Sequence, residues 1–250
     1  MKRVHIGDIH GRTIWEKIVA KHSDADELIV YGDYFDCYPN EYRPFRIQER
    51  NFHNLMELTA SSKSNVVFLL GNHDLHYISN VSPCSRFDEK NHLRIRELFT
   101  EYAGQFDIIH QYDNVLCTHA GVSNAWLDWK LGSWDLDNVT QHVRDLFQDP
   151  KNFDYNGNGF RYDHIEVGRI YESPMWLRPH SLHFANNING DLRNKYIQVF
   201  GHTQVHDIFL IEEDMMKLRK GRYHMVDALG AFEPGYLIHV DGEFKPQHIV

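Results

Sequence analysis

A chain of 250 residues with 42% hydrophobic and 24% charged residues has the composition of a soluble globular protein and suits one sizeable domain. Its formal net charge of -9 argues against a general nucleic-acid or anionic-membrane binder, which would carry a basic face. The three cysteines, Cys37, Cys84 and Cys117, are scattered and show neither CxxC spacing nor a disulfide framework, so a reducing compartment is expected. The opening MKRVHIGDIHG breaks its apolar run at His5 and Gly7, which makes it neither a signal peptide nor a membrane span. A cytoplasmic protein is expected.

In chain order, short apolar, β-branched runs recur, each leading into a polar cluster. Val4-His5-Ile6 leads into Gly7-Asp8-Ile9-His10-Gly11, and Leu28 to Tyr31 into Gly32-Asp33. Val66 to Leu70 leads into Gly71-Asn72-His73-Asp74, Val115 to Cys117 into Thr118-His119-Ala120-Gly121, and Tyr196 to Phe200 into Gly201-His202-Thr203. Each run reads as a buried strand with glycine at its tight exit turn. Helical patterns lie between them at Thr13 to Lys21, Pro44 to about Ala60, and Leu93 to Tyr102. Pro44 suits a helix start, where its missing N–H costs nothing.

Strand and helix in alternation predict a largely parallel sheet with helices on its faces. The later runs, Ile208 to Ile211, Tyr223 to Val226 and Tyr236 to Val240, have no helices between them. They read as antiparallel strands completing a second sheet. The expected fold class is therefore α/β, a four-layer two-sheet β-sandwich flanked by helices, formed as one domain over residues 1–250. The stretch from about residue 123 to 194 departs from this pattern. It is rich in aromatic, Asn and Gly residues, with one helical candidate at Val139 to Phe147, and reads as a substrate-facing cap or set of loops. Its aromatics are expected to form a small local core.

In sheets of this kind ligands gather beyond the carboxyl ends of the strands. Separate segments thus deliver Asp8, His10, Asp33, Asn72, His119 and His202 to one edge. Asp-x-His puts two donors on one loop, since side chains two apart in extended chain share a face. The two oxygens of Asp33 can bridge two cations. Mixed oxygen and nitrogen donors suit Mn²⁺, Fe or Zn²⁺ better than Ca²⁺. Two such cations polarise a phosphoryl group and activate a hydroxide.

GDIHG, GDYFD, GNHD, THAG and GHT, in that order, resemble the calcineurin-like metallophosphoesterases. The closer likeness is to the branch that holds the phage-type and bacterial serine/threonine protein phosphatases and the symmetrical diadenosine tetraphosphatases. The motifs span residues 7 to 203, and five in order are a specific signal. The resemblance implies Asp8 and His10 on one ion, Asp33 bridging, and Asn72, His119 and His202 on a second, with Mn²⁺ the expected metal. It implies His73 as general acid, oriented by Asp74, with Asn72 and His73 also contacting substrate. MWLRP at 175–179 is similar to the branch's W-x-R-P segment, which implies that Arg178 grips phosphate.

Two departures stand out. The branch pattern GDxxDRG here reads GDYFDCYP: Asp36 fits, or caps the following turn, but Cys37 stands where a phosphate-binding arginine is expected. Arg43 or Arg46 is a candidate replacement. Gly201-His202-Thr203-Gln204 also lacks the second histidine of GHxH, which leans away from a nuclease-like activity. His76, His92, His142, His164, His180, His183, His206, His224 and His239 have no such context and read as surface or core residues. Asp227 resembles a family element behind the site. The expected activity is hydrolysis of phosphate monoesters such as phosphoserine or phosphothreonine, on a phosphoprotein partner. Cleavage of diadenosine tetraphosphate, a nucleotide substrate, is the alternative, and a scaffold without catalysis the alternative of another class.

Overall fold

The computed structural model describes residues 1–155, 170–188, 191–206 and 222–249. Two sheets carry the described part of the fold. The first has six strands: β1 (Lys2–Ile6), β2 (Glu27–Val30), β3 (Asn65–Leu69), β4 (Phe106–Asp107), β9 (Gly235–Val240) and β10 (Glu243–His248), in the order β10-β9-β1-β2-β3-β4. The second has four, β5 (Ile109–Tyr112), β6 (Val115–Thr118), β7 (Ile197–Phe200) and β8 (Tyr223–Met225), in that order. β1 through β4 are parallel, as are β6, β7 and β8. The register aligns Ile6 with Val30 and Val30 with Phe68, and Thr118 with Phe200. The five motif-bearing strands therefore run out along one rim.

Period-two alternation divides the buried residues between two apolar layers. Ile29, Tyr31 and Leu69 pack with Cys117, Val199 and Leu237 in one cluster. Leu28, Val30 and Phe68 face the other way, against Ile18 of α1 (Trp15–Lys21), Phe52 and Leu55 of α2 (Phe45–Met56) and Leu98 of α5 (His92–Glu101). Phe52 is buried among Tyr34, Phe35, Phe99 and Phe106, with ring centroids 5.0–6.3 Å apart. A side chain of this kind contributes about 1.5–3 kcal/mol by burial. The helices predicted before α2 and after it, and Pro44 at the α2 N-cap, are found where the pattern put them.

The late strands differ from expectation. Tyr223–Met225 joins the second sheet in parallel with β7, while Gly235–Val240 leaves that sheet and lies antiparallel to β1, pairing Val4 with Ile238. A parallel neighbour in the same sheet needs a long crossover. Residues 226–234 contain no helix to make one, so the chain crosses to the other layer and runs back. The run Ile208 to Ile211 lies outside the described residues.

Among the described residues of the 123–194 stretch, where one helix was expected, four α-helices begin: α6 (Asn124–Leu131), α7 (Val139–Leu146), α8 (Pro179–Ile188) and α9 (Asp191–Lys195). Ser123 caps α6 by accepting from the Trp126 N–H at 3.1 Å. Trp126, Phe147 and Phe153 form the local core, the outer two rings each 5.3 Å from Phe153, whereas Trp129 is exposed. The short α3 (Leu58–Ser61) precedes β3, and α4 (Asn72–Ile78), between β3 and α5, begins on a predicted metal ligand. Among the described residues no helix is long and apolar enough to cross a membrane.

Candidate metal centre

The strand-end loops are zipped to one another by backbone hydrogen bonds. Ile9, His10 and Gly11 donate to the carbonyls of Gly32, Asp33 and Tyr34, and Gly201 donates to that of His119. Two glycines make this approach sterically feasible. A Cβ on Gly71 would collide with Asp33 Oδ1, and one on Gly201 with Asp8 Oδ1. His10, Asp33, Asp36 and His202 all have left-handed backbones, at φ 44°, 53°, 57° and 62°. Non-glycine residues held there mark sites where surrounding structure outweighs local preference.

All six predicted ligands are brought together. Asn72 Oδ1 lies 2.9 Å from His119 Nε2 and 3.0 Å from His202 Nδ1. Asp33 Oδ2 lies 3.4 Å from His10 Nε2 and 3.7 Å from His119 Nε2. The His202 N–H donates to Asp8 Oδ2 at 2.9 Å. The Nδ1 atoms of His10 and His119 are tied to the carbonyls of Phe35 and Tyr31, at 3.1 and 2.7 Å. That tie directs each Nε2 toward the cluster, as in metal-binding histidines generally. Donor atoms of Asp8, Asp33 and His119 lie within 4.8 Å of one another.

The electrostatics call for cations. Burial holds the imidazoles of His10, His119 and His202 below their ordinary value. Asp33 is raised by burial, but the neighbouring His119, His73 and His10 outweigh this and hold it below the usual carboxylate range. Burial, with Asp227 and Asp33 adding, pushes Asp8 well up, and burial pushes Asp227 up to about 7. Both Asp227 oxygens and His202 Nε2 are buried without a hydrogen-bond partner. Buried carboxylates without partners are costly unless paired with charge. This donor set fits divalent cations bound through oxygen and nitrogen.

His73 stands beside the cluster, its ring 5.2 Å from that of His10. Its carboxylate partner is Asp36, not Asp74. Asp36 Oδ2 lies 2.8 Å from His73 Nδ1 and 2.9 Å from His76 Nε2, and Asp36 Oδ1 accepts from the Tyr77 hydroxyl. These imidazoles hold the Asp36 carboxyl low against the raising effect of burial. Asp74 instead accepts from the backbone N–H groups of Gly71, Asp33 and Tyr34 at 2.7–2.9 Å, bracing two loops. Adjacent residues on a helix point about 100° apart, so His73 and Asp74 of α4 face different surroundings. His76, read as an ordinary histidine, belongs to this group. Its i, i+3 spacing from His73 on α4 was the available signal.

Arg178 reaches the rim, its Nη1 donating to Thr203 Oγ1 at 3.1 Å and to the His202 carbonyl at 3.4 Å. With Trp176, Tyr155 and Glu172 it lines a cavity of about 370 Å³. Near Cys37, neither suggested arginine occupies the gap. Arg43 Nη1 donates to the Glu41 carbonyl at 2.9 Å, and Arg46 is exposed on α2. Arg86 does enter the site. Its guanidinium lies 3.8 Å over the Tyr38 ring, with Nη2 2.9 Å from His73 Nε2 and a buried Nη1 without partner. Its left-handed backbone, φ 67°, aims it there, and no local motif announces such a contact. Arg12 is also buried, forked onto Glu41 at 2.7 and 3.2 Å, and donates to the Asp8 carbonyl at 3.2 Å. Asp227 lies close enough to Asp8 to raise its pKa, behind the cluster as expected.

The structure is similar to that of a metallophosphoesterase from Sphaerobacter thermophilus, with a TM-score of 0.54 and 11% sequence identity, over 100% of this chain and 89% of the other. That likeness concerns the fold alone. A search among curated proteins finds no match. The family model for calcineurin-like phosphoesterases matches residues 1–206, which contain every residue of the cluster except Asp227. The chain belongs to the calcineurin-like phosphoesterases and is a metal-dependent phosphoric ester hydrolase.

Proposed function

We propose that the protein hydrolyses phosphate monoesters of the phosphoserine and phosphothreonine type, with two divalent cations held by Asp8, His10, Asp33, Asn72, His119 and His202. Mn²⁺ is the expected metal, with Fe and Zn²⁺ as alternatives. The observation that carries this reading is the Asp36–His73 pair, 2.8 Å apart at the edge of the donor cluster. An alkoxide leaving from a serine or threonine needs a proton. An imidazolium whose Nδ1–H is donated to a carboxylate can give up its Nε2 proton without turning away. When bound, the cations supply charge neutralisation and an activated water. Arg178 and Arg86 bind the remaining phosphoryl oxygens from two sides, Arg86 standing in for the arginine absent at Cys37.

One observation favours a second reading. Arg178 shares its cavity with the paired rings of Tyr155 and Trp176, 5.1 Å apart, which offer an adenine a stacking surface. Cleavage of diadenosine tetraphosphate is the reaction it suggests. On either reading residues 123–194 act as a substrate-facing cap on a single domain. The partner is a phosphoprotein or nucleotide in the cytoplasm, and the net charge of -9 disfavours nucleic acid or anionic membrane. Assaying a phosphopeptide beside diadenosine tetraphosphate on Mn²⁺-loaded protein tests the assignment. Faster turnover of the phosphopeptide supports the monoesterase, and the reverse order replaces it with the nucleotide reading.

A further inference from the structure

A second set of metal donors lies beside the dinuclear cluster, around His73, with Cys84 Sγ 3.7 Å from Asn72 Nδ2. Cys84 Sγ is 3.1 Å from His76 Nδ1 and 3.6 Å from His73 Nδ1, and donor atoms of the three residues all fall within 4.8 Å of one another. Zn–S bonds of about 2.3 Å and Zn–N bonds of about 2.0–2.1 Å put neighbouring donors of a tetrahedral site about 3.3–3.6 Å apart. The observed spacings bracket that range.

Two further features fit a metal. His76 Nε2 faces Asp36 Oδ2 at 2.9 Å while Nδ1 faces the sulfur. A carboxylate on the far nitrogen is the usual support of a zinc-binding imidazole, because it fixes the tautomer and the ring plane. Cys84 also lines the cavity shared with Trp176 and Arg178, so an ion can arrive from solvent.

We propose that His73, His76 and Cys84 form an inhibitory zinc site, with water as the fourth ligand. The Cys84 thiol loses its proton to solvent as the Zn–S bond forms, and His73 binds as a neutral imidazole whose Nε2 proton requires Arg86 Nη2, 2.9 Å away, to move aside. An imidazole whose Nδ1 holds a metal cannot become the imidazolium that protonates a leaving oxygen. Occupancy therefore silences hydrolysis without emptying the dinuclear cluster. The inhibitory part rests on the general-acid reading of His73, whereas the binding part does not. A soft thiolate selects Zn²⁺ and excludes Mg²⁺ and Mn²⁺.

The test compares the full-length protein with Cys84→Ser, both first loaded with Mn²⁺ and then titrated with Zn²⁺. Wild type is expected to retain one more equivalent of zinc than Cys84→Ser by elemental analysis. With Co²⁺ it should show a thiolate-to-cobalt charge-transfer band that the variant lacks, since none of the six proposed dinuclear ligands carries sulfur. Half-inhibition of aryl phosphate hydrolysis should need about tenfold more zinc, or above, in the variant, and Mg²⁺ should not inhibit either protein. Equal zinc content and no difference in the cobalt band overturn the site. A band and extra zinc without inhibition overturn the regulatory role alone. A protein inactive on every ester would instead defeat the functional reading, with the metal count still deciding this site.

Discussion

Asp36 Oδ2 and His73 Nδ1 lie 2.8 Å apart although Asp36 comes from the loop after β2 and His73 from α4, after β3. The contact occupies Nδ1 and leaves Nε2 to face Arg86, whose Nη2 lies 2.9 Å away. Asp36→Asn should therefore lower kcat by about 10²-fold for esters of poor leaving groups, and much less for aryl phosphates. Metal content should be unchanged. The check is kcat measured across a series of leaving groups, and a loss independent of leaving group would remove the acid role.

Asp74 serves the fold instead. Asp74→Asn puts an N–H₂ against backbone donors and leaves a buried group unsatisfied, which costs about 1–3 kcal/mol. Thermal unfolding of that variant should show a clear drop in Tm, and Asp36→Asn a smaller one.

Arg86 holds a buried Nη1 without partner beside the leaving-group nitrogen of His73. Losing a charge-assisted contact of about 1.5–3 kcal/mol should lower kcat/KM about 10–100-fold in Arg86→Ala. Arg43→Ala and Arg46→Ala should leave KM near that of wild type. Steady-state kinetics with one phosphate ester distinguish the three, and a KM effect confined to Arg43 or Arg46 would refute the placement.

Asp33 faces donors on both sides of the cluster, with His10 and His119 each within 4 Å of Oδ2. Asp33→Asn should remove most activity and lower the metal content, whereas His73→Asn should lose activity with its metals retained. Chelation of the wild-type protein should abolish hydrolysis, and added Mn²⁺ should restore it. Loss of metal from His73→Asn would show that its role is misassigned.

Far from the site, His224 and His239 stack on the two faces of Phe244, at 4.1 and 4.2 Å. Burial, with His239 adding, lowers the His224 pKa to about 4. The unfolded chain binds a proton at the ordinary imidazole value of about 6.5, where the folded chain does not. Folding stability from this group is thus full above pH 6.5 and lost as pH falls toward 4, by up to about 3 kcal/mol. Urea midpoints between pH 7 and pH 4.5 should fall less steeply in His224→Gln than in wild type. Parallel slopes would exclude His224 as a source of acid sensitivity.

The five strand-end motifs were legible because their physics is local. A short β-branched run, a glycine exit and a polar donor lie within a few residues of one another, and together they specify a buried parallel strand that ends at a ligand. Helices α1, α2, α5 and α7 were legible for the same reason, from their spacing. Gly71 and Gly201 show where local reading stops: both stand next to proposed ligands, but only packing reveals the carboxylates that a side chain would strike. The choice of Asp36 over Asp74 was made by tertiary structure, since helical geometry turns neighbours apart while a strand-end loop carries a distant carboxylate in. Arg86 and β9 were decided in the same way. A guanidinium can reach a site from any loop that a left-handed residue redirects, and the sheet a late strand joins depends on which edge lies within reach of its connection. The sequence alone thus determined the family and its likeness to metal-binding hydrolases, through short-range pattern. The tertiary structure determined which charged groups serve that chemistry, because their partners are separated along the chain and meet only when the two sheets pack.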